Sequence, residues 1–100
     1  MRYTLLKTKE YEDWLSEETM KFRFQIAKRL AKIELEGYFG EKKDLGDGVH
    51  ELKWDIGRRV YFAYLPVAKI LLLLGGNKNG QSQDITQAKK ILKRYIENET

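Results

Sequence analysis

The sequence lacks several residues that carry chemistry in small proteins: it contains no cysteine, one histidine and one proline. Without cysteine there are no disulfides, thiolate metal ligands or cysteine nucleophiles, which suits a reducing compartment. Its most apolar run, residues 70–74, is far shorter than the roughly 20 residues that span a bilayer. The N-terminus has no apolar signal segment. We therefore expect a cytoplasmic protein that makes no contact with a membrane.

Length and composition limit the fold. Leucine, isoleucine, valine and phenylalanine make up 27 of the 100 residues, enough apolar surface to offset the entropy of ordering the chain. A chain of this length forms one core, so residues 1–100 are expected to be a single domain. The net charge is +4, with residues 1–49 neutral and the surplus in residues 50–100. This surplus fits an anionic partner, although it fits a role in solubility as well.

Hydrophobic periodicity predicts the elements of the domain. They are a strand at 2–7, helices at 10–18 and 18–36, a loop at 38–48, strands on either side of Gly57, a strand at 67–74 ended by Gly75 and Gly76, and a helix from Asp84. Thr8 and Asp84 are the expected helix N-caps, and Gly37 is the expected C-terminal stop. The apolar run predicts a central strand buried on both faces. The order β-α-α-β-β-β-α predicts an α+β domain whose small, mostly antiparallel sheet packs against helices.

Strand parity brings three candidate functional residues to one surface. If the apolar side chains of the hairpin face the helices, Lys53, Arg59 and Tyr61 share the opposite face. Arginine can grip a phosphate through its planar fork, lysine supplies a point charge, and tyrosine can stack on a base. The same pattern is typical of an ordinary solvated sheet face, on which the two cations pair with Glu51 or Asp55. Parity alone does not choose between these interpretations.

Two other features are weaker candidates. His50 is the only histidine and suits acid–base chemistry near neutral pH, but its parity places it with Leu52, as a partly buried residue at a strand end. No group of histidine and acidic residues has a metal-ligand spacing, so neither a metal nor another cofactor is expected. Residues 75–81 are glycine-rich and precede a helix, as anion-binding loops do. An ordinary turn explains them better, with Lys78 and Gln81 at the rim of the basic face.

Short motifs follow one another over nearly the whole chain in a specific order. They are residues 14–15 (WL), 27–33 (AKRLAKI), 37–40 (GYFG), 45–52 (LGDGVHEL), 59–62 (RVYF), 73–78 (LLGGNK) and 83–85 (QDI) with Ala88. In this order and spacing the chain resembles HigB-like toxins of the RelE/ParE superfamily, the toxins of bacterial and phage toxin–antitoxin pairs. The resemblance implies a small basic protein that enters the ribosomal A site and cleaves mRNA. A small antitoxin, often a helix-turn-helix protein, would hold it inactive by covering the basic face or by holding the C-terminal helix.

The implied reaction needs no metal. The 2′-hydroxyl of the RNA attacks the neighbouring phosphate and leaves a cyclic phosphate and a 5′-hydroxyl. On this hypothesis Arg59 and Lys53 stabilise the charge of the transition state, and Lys53 is also the candidate general base, because neighbouring cations favour its neutral form. Tyr61 would stack on a base or orient the 2′-hydroxyl. The residues expected to bind RNA beside the cleaved bond are Arg58, Lys78 and Gln81.

The chain departs from the family pattern at the hairpin. Lys53 follows the Glu-Leu pair where the family commonly has arginine, and Gly57-Arg58-Arg59 stands where the family commonly has a longer Gly-Pro-Gly-Tyr-Arg turn. The shorter turn leaves the position of Arg58 open, and lysine is a poorer bidentate phosphate ligand than arginine. Two alternatives also stay open within the superfamily. One is a ParE-like poison of DNA gyrase that acts by binding, and the other is a degenerate toxin kept as a partner or repressor component.

Overall fold

A computed structural model describes residues 2–99 of the chain. The elements in this part are β1 (Thr4–Lys7), α1 (Lys9–Ser16), α2 (Met20–Glu36), β2 (Lys42–Asp44), β3 (His50–Lys53), β4 (Arg58–Leu65), β5 (Lys69–Asn77), a 3-10 helix (Lys78–Gly80) and α3 (Gln81–Glu99). The domain is α+β, as the sequence predicts. The strand β2 is additional, in a segment expected to be a loop. No helix within residues 2–99 has the length and apolar character needed to cross a membrane.

The strands form one sheet in the order β1-β5-β4-β3-β2. β1 runs parallel to β5, and the other neighbouring pairs are antiparallel, so the prediction of a mostly antiparallel sheet is confirmed. β5 lies between β1 and β4, and residues 70–73 are all buried, as the apolar run predicts. Gly75 and Gly76 do not end this strand. Both pair with β4, and the strand continues to Asn77.

Capping residues bound the first two helices, because the terminal backbone N–H and C=O groups of a helix have no partner within it. Thr8 caps α1 by accepting the backbone N–H of Tyr11 at 3.0 Å. Thr19 caps α2 in the same way, accepting the N–H of Phe22 at 3.1 Å. Gly37 ends α2 with a φ of 70°, a left-handed conformation that favours glycine. The caps expected at Thr8 and Gly37 are therefore present, and Thr19 places the start of α2 at Met20 instead of residue 18.

The last helix begins earlier than predicted. The sequence predicts Asp84 as its N-cap, but α3 begins at Gln81, directly after the 3-10 helix, and Asp84 lies in its first turn. Asn77 caps the 3-10 helix by accepting the N–H of Asn79 at 3.0 Å. Because the helix begins three residues before Asp84, the Asp84 carboxylate lies against the backbone of Gly76 in β5.

Helices cover both faces of the sheet. α1 and α2 pack on one face, where the buried side chains include Tyr11, Phe22, Ile26, Leu52, Phe62 and Leu72. α3 packs on the other face through Ala88, Ile91 and Leu92, over Tyr61, Ala63, Leu71 and Leu73. The expectation that the face with Lys53, Arg59 and Tyr61 lies opposite the helices is therefore wrong. The reason is that α3 has an apolar stripe, and this stripe is buried against the apolar side chains on this face of β4 and β5.

Two consecutive glycines of β5 let side chains approach the sheet from both sides. A Cβ atom on Gly75 would lie 2.1 Å from the ring of Trp14, and a Cβ atom on Gly76 would lie 2.0 Å from the carboxylate of Asp84. Successive residues of a strand face opposite sides. Trp14 of α1 and Asp84 of α3 therefore each depend on one of the two glycines.

We expect Gly75→Ala to lower the free energy of unfolding by about 1–3 kcal/mol, because the added methyl group overpacks against the Trp14 ring. Gly80→Ala is the matched control, since a Cβ atom there would meet no atom closer than 3.4 Å. Urea unfolding followed by circular dichroism measures both variants. Equal unfolding midpoints for the two would contradict the contact between Trp14 and Gly75.

Candidate functional site

The candidate site lies at the end of the sheet where the β3–β4 hairpin meets the start of α3. The strand register places Lys53 opposite Arg59 and Glu51 opposite Tyr61. Directly opposed residues of two strands point to the same face, so all four side chains lie on the face that α3 covers. The three residues expected from parity to share a face do share it, but only Lys53 is exposed.

Arg59 is held by contacts with two other parts of the chain. Its Nη1 donates to the carbonyl of Gly57 in the hairpin turn at 3.0 Å, and its Nε lies 3.1 Å from Oε1 of Glu51. The same Glu51 oxygen accepts a hydrogen bond from Nε2 of Gln81 at 2.7 Å. Arg59 is 8% exposed and Glu51 is 3% exposed. We call Glu51, Arg59 and Gln81 the Arg59 cluster, because together they tie β3, β4 and the first residue of α3 into one polar unit.

Tyr61 lies beneath α3 and is fully buried. Burial, with the nearby carboxylates of Glu51 and Asp84, raises the pKa of the Tyr61 phenol above its ordinary value, so the phenol stays protonated at neutral pH. Its hydroxyl has no hydrogen-bond partner within residues 2–99. In this arrangement Tyr61 is a core residue and does not reach a nucleotide base.

Two exposed lysines border the cluster. Lys53 ends β3, and its backbone carbonyl accepts from Nη1 of Arg29 at 2.6 Å. Lys78 begins the 3-10 helix; its N–H donates to the carbonyl of Gly57 at 2.9 Å, and its side-chain carbons lie against Gly57. The Gly57 carbonyl therefore accepts from both Arg59 and Lys78. The amines of Lys53 and Lys78 are accessible positive charges at the border of the site.

Arg58 does not join this group. Its Nε donates to Oε1 of Glu18 at 2.9 Å, and its guanidinium lies 5.1 Å from the centre of the Phe22 ring. These contacts are on the face that α1 and α2 cover, because Arg58 and Arg59 are neighbours on a strand and point to opposite sides. The sequence predicts that Arg58 binds RNA together with Lys78 and Gln81. Arg58 lies on the opposite face of the sheet, so the structure does not bring these three residues together.

His50 lies outside the site, as expected. Its ring stacks on Phe62 at 5.4 Å and meets Tyr64 edge-on at 4.9 Å between ring centres. Burial is the largest cause of the lowered pKa of His50, and Lys42 adds to it while Asp44 opposes it. The imidazole is thus a partly buried aromatic residue on the α2 face.

Sequence reasoning missed two members of the site. The sequence predicts Glu51 only as a partner for cations on a solvated face, although alternation along β3 already places it with Lys53. Asp84 was expected to cap α3, because an acidic residue at a helix start suits a cap and a first-turn position equally well. Its carboxylate is instead turned toward the sheet, where burial raises its pKa above the ordinary 3.8.

The fold is that of RelE toxins. The structure is similar to an arginine-to-alanine double mutant of the Escherichia coli toxin RelE in the free state, with a TM-score of 0.73, 17% identity, and 90% of this chain and 97% of that chain covered. It is also similar to a chain of the intact Escherichia coli RelBE toxin–antitoxin complex, with a TM-score of 0.64, 15% identity, and 75% of this chain and 95% of that chain covered. At these identities the likeness shows the fold alone.

A closer relative is found at the level of sequence. No model of a known protein family matches the chain. An uncharacterized protein of Haemophilus influenzae is 34% identical over 92 residues, which cover 89% of this chain and 92% of that protein. The chain belongs to the same protein family as this Haemophilus influenzae protein.

We expect Glu51→Ala to destabilise the protein by about 3–5 kcal/mol, because it leaves the buried Arg59 charge without its partner. Asp55→Ala, in the exposed part of the same hairpin, is the matched control and should change stability little. Urea unfolding at pH 7 measures both. If the two variants unfold at the same urea concentration, the buried ion pair is not the contact that holds this end of the sheet.

The raised pKa of Asp84 gives a pH-dependent prediction. A carboxyl whose pKa is raised by folding favours the folded state when protonated, and this contribution is lost as the pH rises through the folded pKa. Asp84→Asn mimics the protonated form, so we expect it to be more stable than the wild type at pH 7, with the gain vanishing as the pH falls to the ordinary value of 3.8. Urea unfolding between pH 4 and 7 measures the gain. Asp55→Asn is the control, and a gain for Asp84→Asn that is equal at every pH would refute the effect of burial.

Proposed function

We propose that this protein is the toxin of a type II toxin–antitoxin pair and that, like HigB-like toxins, it cleaves mRNA on the ribosome. The RelE-like fold supports the first part. The observation that carries the second is the pair of exposed amines, Lys53 and Lys78, beside the buried Arg59 cluster. Such a surface suits the phosphates of an RNA strand. The antitoxin, a small helix-turn-helix protein on this proposal, keeps the toxin inactive in the cytoplasm.

The chemistry proposed is attack by the 2′-hydroxyl of the RNA on the neighbouring phosphorus. The new bond joins O2′ to phosphorus and the bond to O5′ breaks, while the 2′-hydroxyl loses a proton and O5′ gains one. Negative charge builds on the phosphoryl oxygens, and fixed positive charge near them lowers the barrier. Lys53 is our candidate for direct contact with these oxygens, and only its neutral amine form can accept the proton of the 2′-hydroxyl. Arg59 adds a second positive charge whose position does not vary, because Glu51 and the Gly57 carbonyl fix it.

The remaining residues take different parts. Glu51 is a positioning residue, since it acts through Arg59. Lys78 binds a flanking phosphate, and Gln81 reaches RNA when it releases its hydrogen bond to Glu51. Tyr61 stacks on a base or orients the 2′-hydroxyl only when α3 moves, because this helix covers it. Arg58 is left out of this proposal because its guanidinium pairs with Glu18 on the other face.

We expect expression without the antitoxin to arrest growth and to produce new RNA 5′ ends within translated frames. Lys53→Ala should lower cleavage roughly tenfold or more, because it removes an electrostatic contact to the transition state. Lys90→Ala is the matched control, an exposed lysine of α3 that should leave cleavage unchanged. The measurement is inducible expression in a bacterium, with growth followed and 5′ ends mapped within minutes at equal protein levels.

The other outcomes separate the alternatives. Growth arrest with intact mRNA, DNA double-strand breaks and an SOS response would favour gyrase poisoning, and no arrest would favour a degenerate partner. If cleavage occurs but survives both Lys53→Ala and Arg59→Ala at equal protein levels, the protein is a ribonuclease whose site lies elsewhere.

A further inference from the structure

The outer side of α2 carries an apolar stripe that no part of residues 2–99 covers. Met20, Phe24 and Leu35 are 80%, 70% and 60% exposed, and Ala27 and Ala31 are exposed between them. These five residues recur at helical spacing and form a line along the whole helix. The core-facing residues of α2 lie on another side of the helix. Exposed apolar surface of this extent typically marks an interaction site.

A row of lysines follows one edge of this stripe. Lys21, Lys28 and Lys32 lie at i, i+7 and i+11, with Gln25 between them, so they share one side of the helix. All three are exposed, and none has an ion-pair partner within residues 2–99. Residues 20–33 contain no acidic residue. The row is therefore an uncompensated line of positive charge beside the apolar stripe.

Depressions flank the stripe on both sides. A groove of about 260 Å³ separates α2 from β1 and α1, and its lining includes Leu5, Leu15 and Ala27. A cavity of about 220 Å³ lies on the lysine side, between Lys28, Lys32 and the exposed Tyr38. The surface thus has an apolar ridge with room for side chains on either side of it.

We infer that this face of α2 is the docking site for an amphipathic helix of another protein, whose apolar stripe is bordered by acidic residues. From Met20 to Leu35 the stripe is roughly 22 Å long at 1.5 Å per residue, which matches about four turns of a partner helix. The small Ala27 and Ala31 allow two helix backbones to approach closely, while Phe24 and Leu35 provide the larger contacts. Carboxylates on the partner helix pair with the lysine row. The inference does not depend on RNA cleavage, although under the proposed function the antitoxin is the natural source of this helix.

The charges also disfavour two other occupants. Two copies of α2 that pack antiparallel about a two-fold axis bring their lysine rows face to face, which is repulsive. In a parallel pair, each lysine row faces the other border of the stripe, which carries Arg23 and one acidic residue, Glu34. This border offers the lysines little compensating charge. RNA would pair with the lysines, but it would leave the apolar stripe without a partner.

Binding of a designed peptide tests the inference. The probe is a fluorescein-labelled 18-residue helix with leucines along one side and glutamates on both borders, and its counterpart carries lysines in place of the glutamates. Fluorescence anisotropy with the full chain measures binding. We expect the acidic peptide to bind at least tenfold more tightly than the basic one. Phe24→Glu and the pair Lys28→Glu/Lys32→Glu should each weaken its binding at least tenfold.

Matched controls lie elsewhere on the surface. Val67→Glu replaces another exposed apolar residue, and Lys90→Glu/Lys93→Glu makes the same charge change on α3; both should bind the acidic peptide like the wild type. Circular dichroism checks that every variant is folded. Because peptide binding does not require RNA cleavage, a failure of the proposed function would not change the result expected here.

Three results would overturn the inference. The first is equal binding of the acidic peptide by the α2 variants and the wild type. The second is a wild-type dimer in analytical ultracentrifugation that Phe24→Glu dissociates, which would make a second copy the occupant. The third is an acidic peptide that does not bind while a 20-nucleotide RNA binds in a manner sensitive to Lys28→Glu/Lys32→Glu but not to Phe24→Glu.

Discussion

The burial of β5 on both faces is the constraint on which the rest of the structure depends. Residues 70–73 are consecutive and all buried, so each face of the sheet needs its own layer of helix. α1 and α2 supply one layer and α3 supplies the other. Since α3 begins where β5 ends, the polar residues of its face collect at that end of the sheet. The candidate site is located there, where the buried Arg59–Glu51 ion pair borders the exposed residues Lys53 and Lys78.

The same constraint determines the chemistry available to the site. Arg59 and Tyr61 point toward α3, so Arg59 is desolvated and needs the partner Glu51, while Tyr61 becomes part of the core. A desolvated charge with fixed contacts is preorganised, which favours electrostatic stabilisation of a transition state. Lys53 and Lys78 lie in the accessible part of the site. The helix that completes the core therefore also limits access to Arg59 and Tyr61, two of the six residues expected to act on RNA.

The comparison of sequence and structure shows what periodicity can and cannot predict. The central position of β5, the Thr8 cap and the left-handed Gly37 follow from local patterns, and the structure contains all three. The side on which α3 packs does not follow from local patterns, because an apolar stripe shows that a helix has a buried face without showing which surface buries it. β2 consists of Lys42, Lys43 and Asp44 and has no apolar signal at all. It is a strand because it pairs with β3, and Lys42 also donates to the hydroxyl of Tyr64 at 2.7 Å.

Arg29 connects the two positively charged surfaces of the molecule. Its guanidinium donates to the backbone carbonyls of Phe39, Glu41 and Lys53 at 3.1, 2.6 and 2.6 Å, and it lies 4.7 Å from the centre of the Trp54 ring. It follows Lys28 on α2, so the lysine row of this helix and the end of β3 are joined through one side chain. Burial lowers the pKa of Arg29, and the neighbouring Glu41 opposes this change. A carbonyl triad around a guanidinium is a rigid arrangement, because the planar group fixes the direction of each bond. Arg29, the residue after Lys28 on α2, therefore holds the backbone carbonyl of Lys53, so the contacts of one side chain link the proposed docking face to the candidate site.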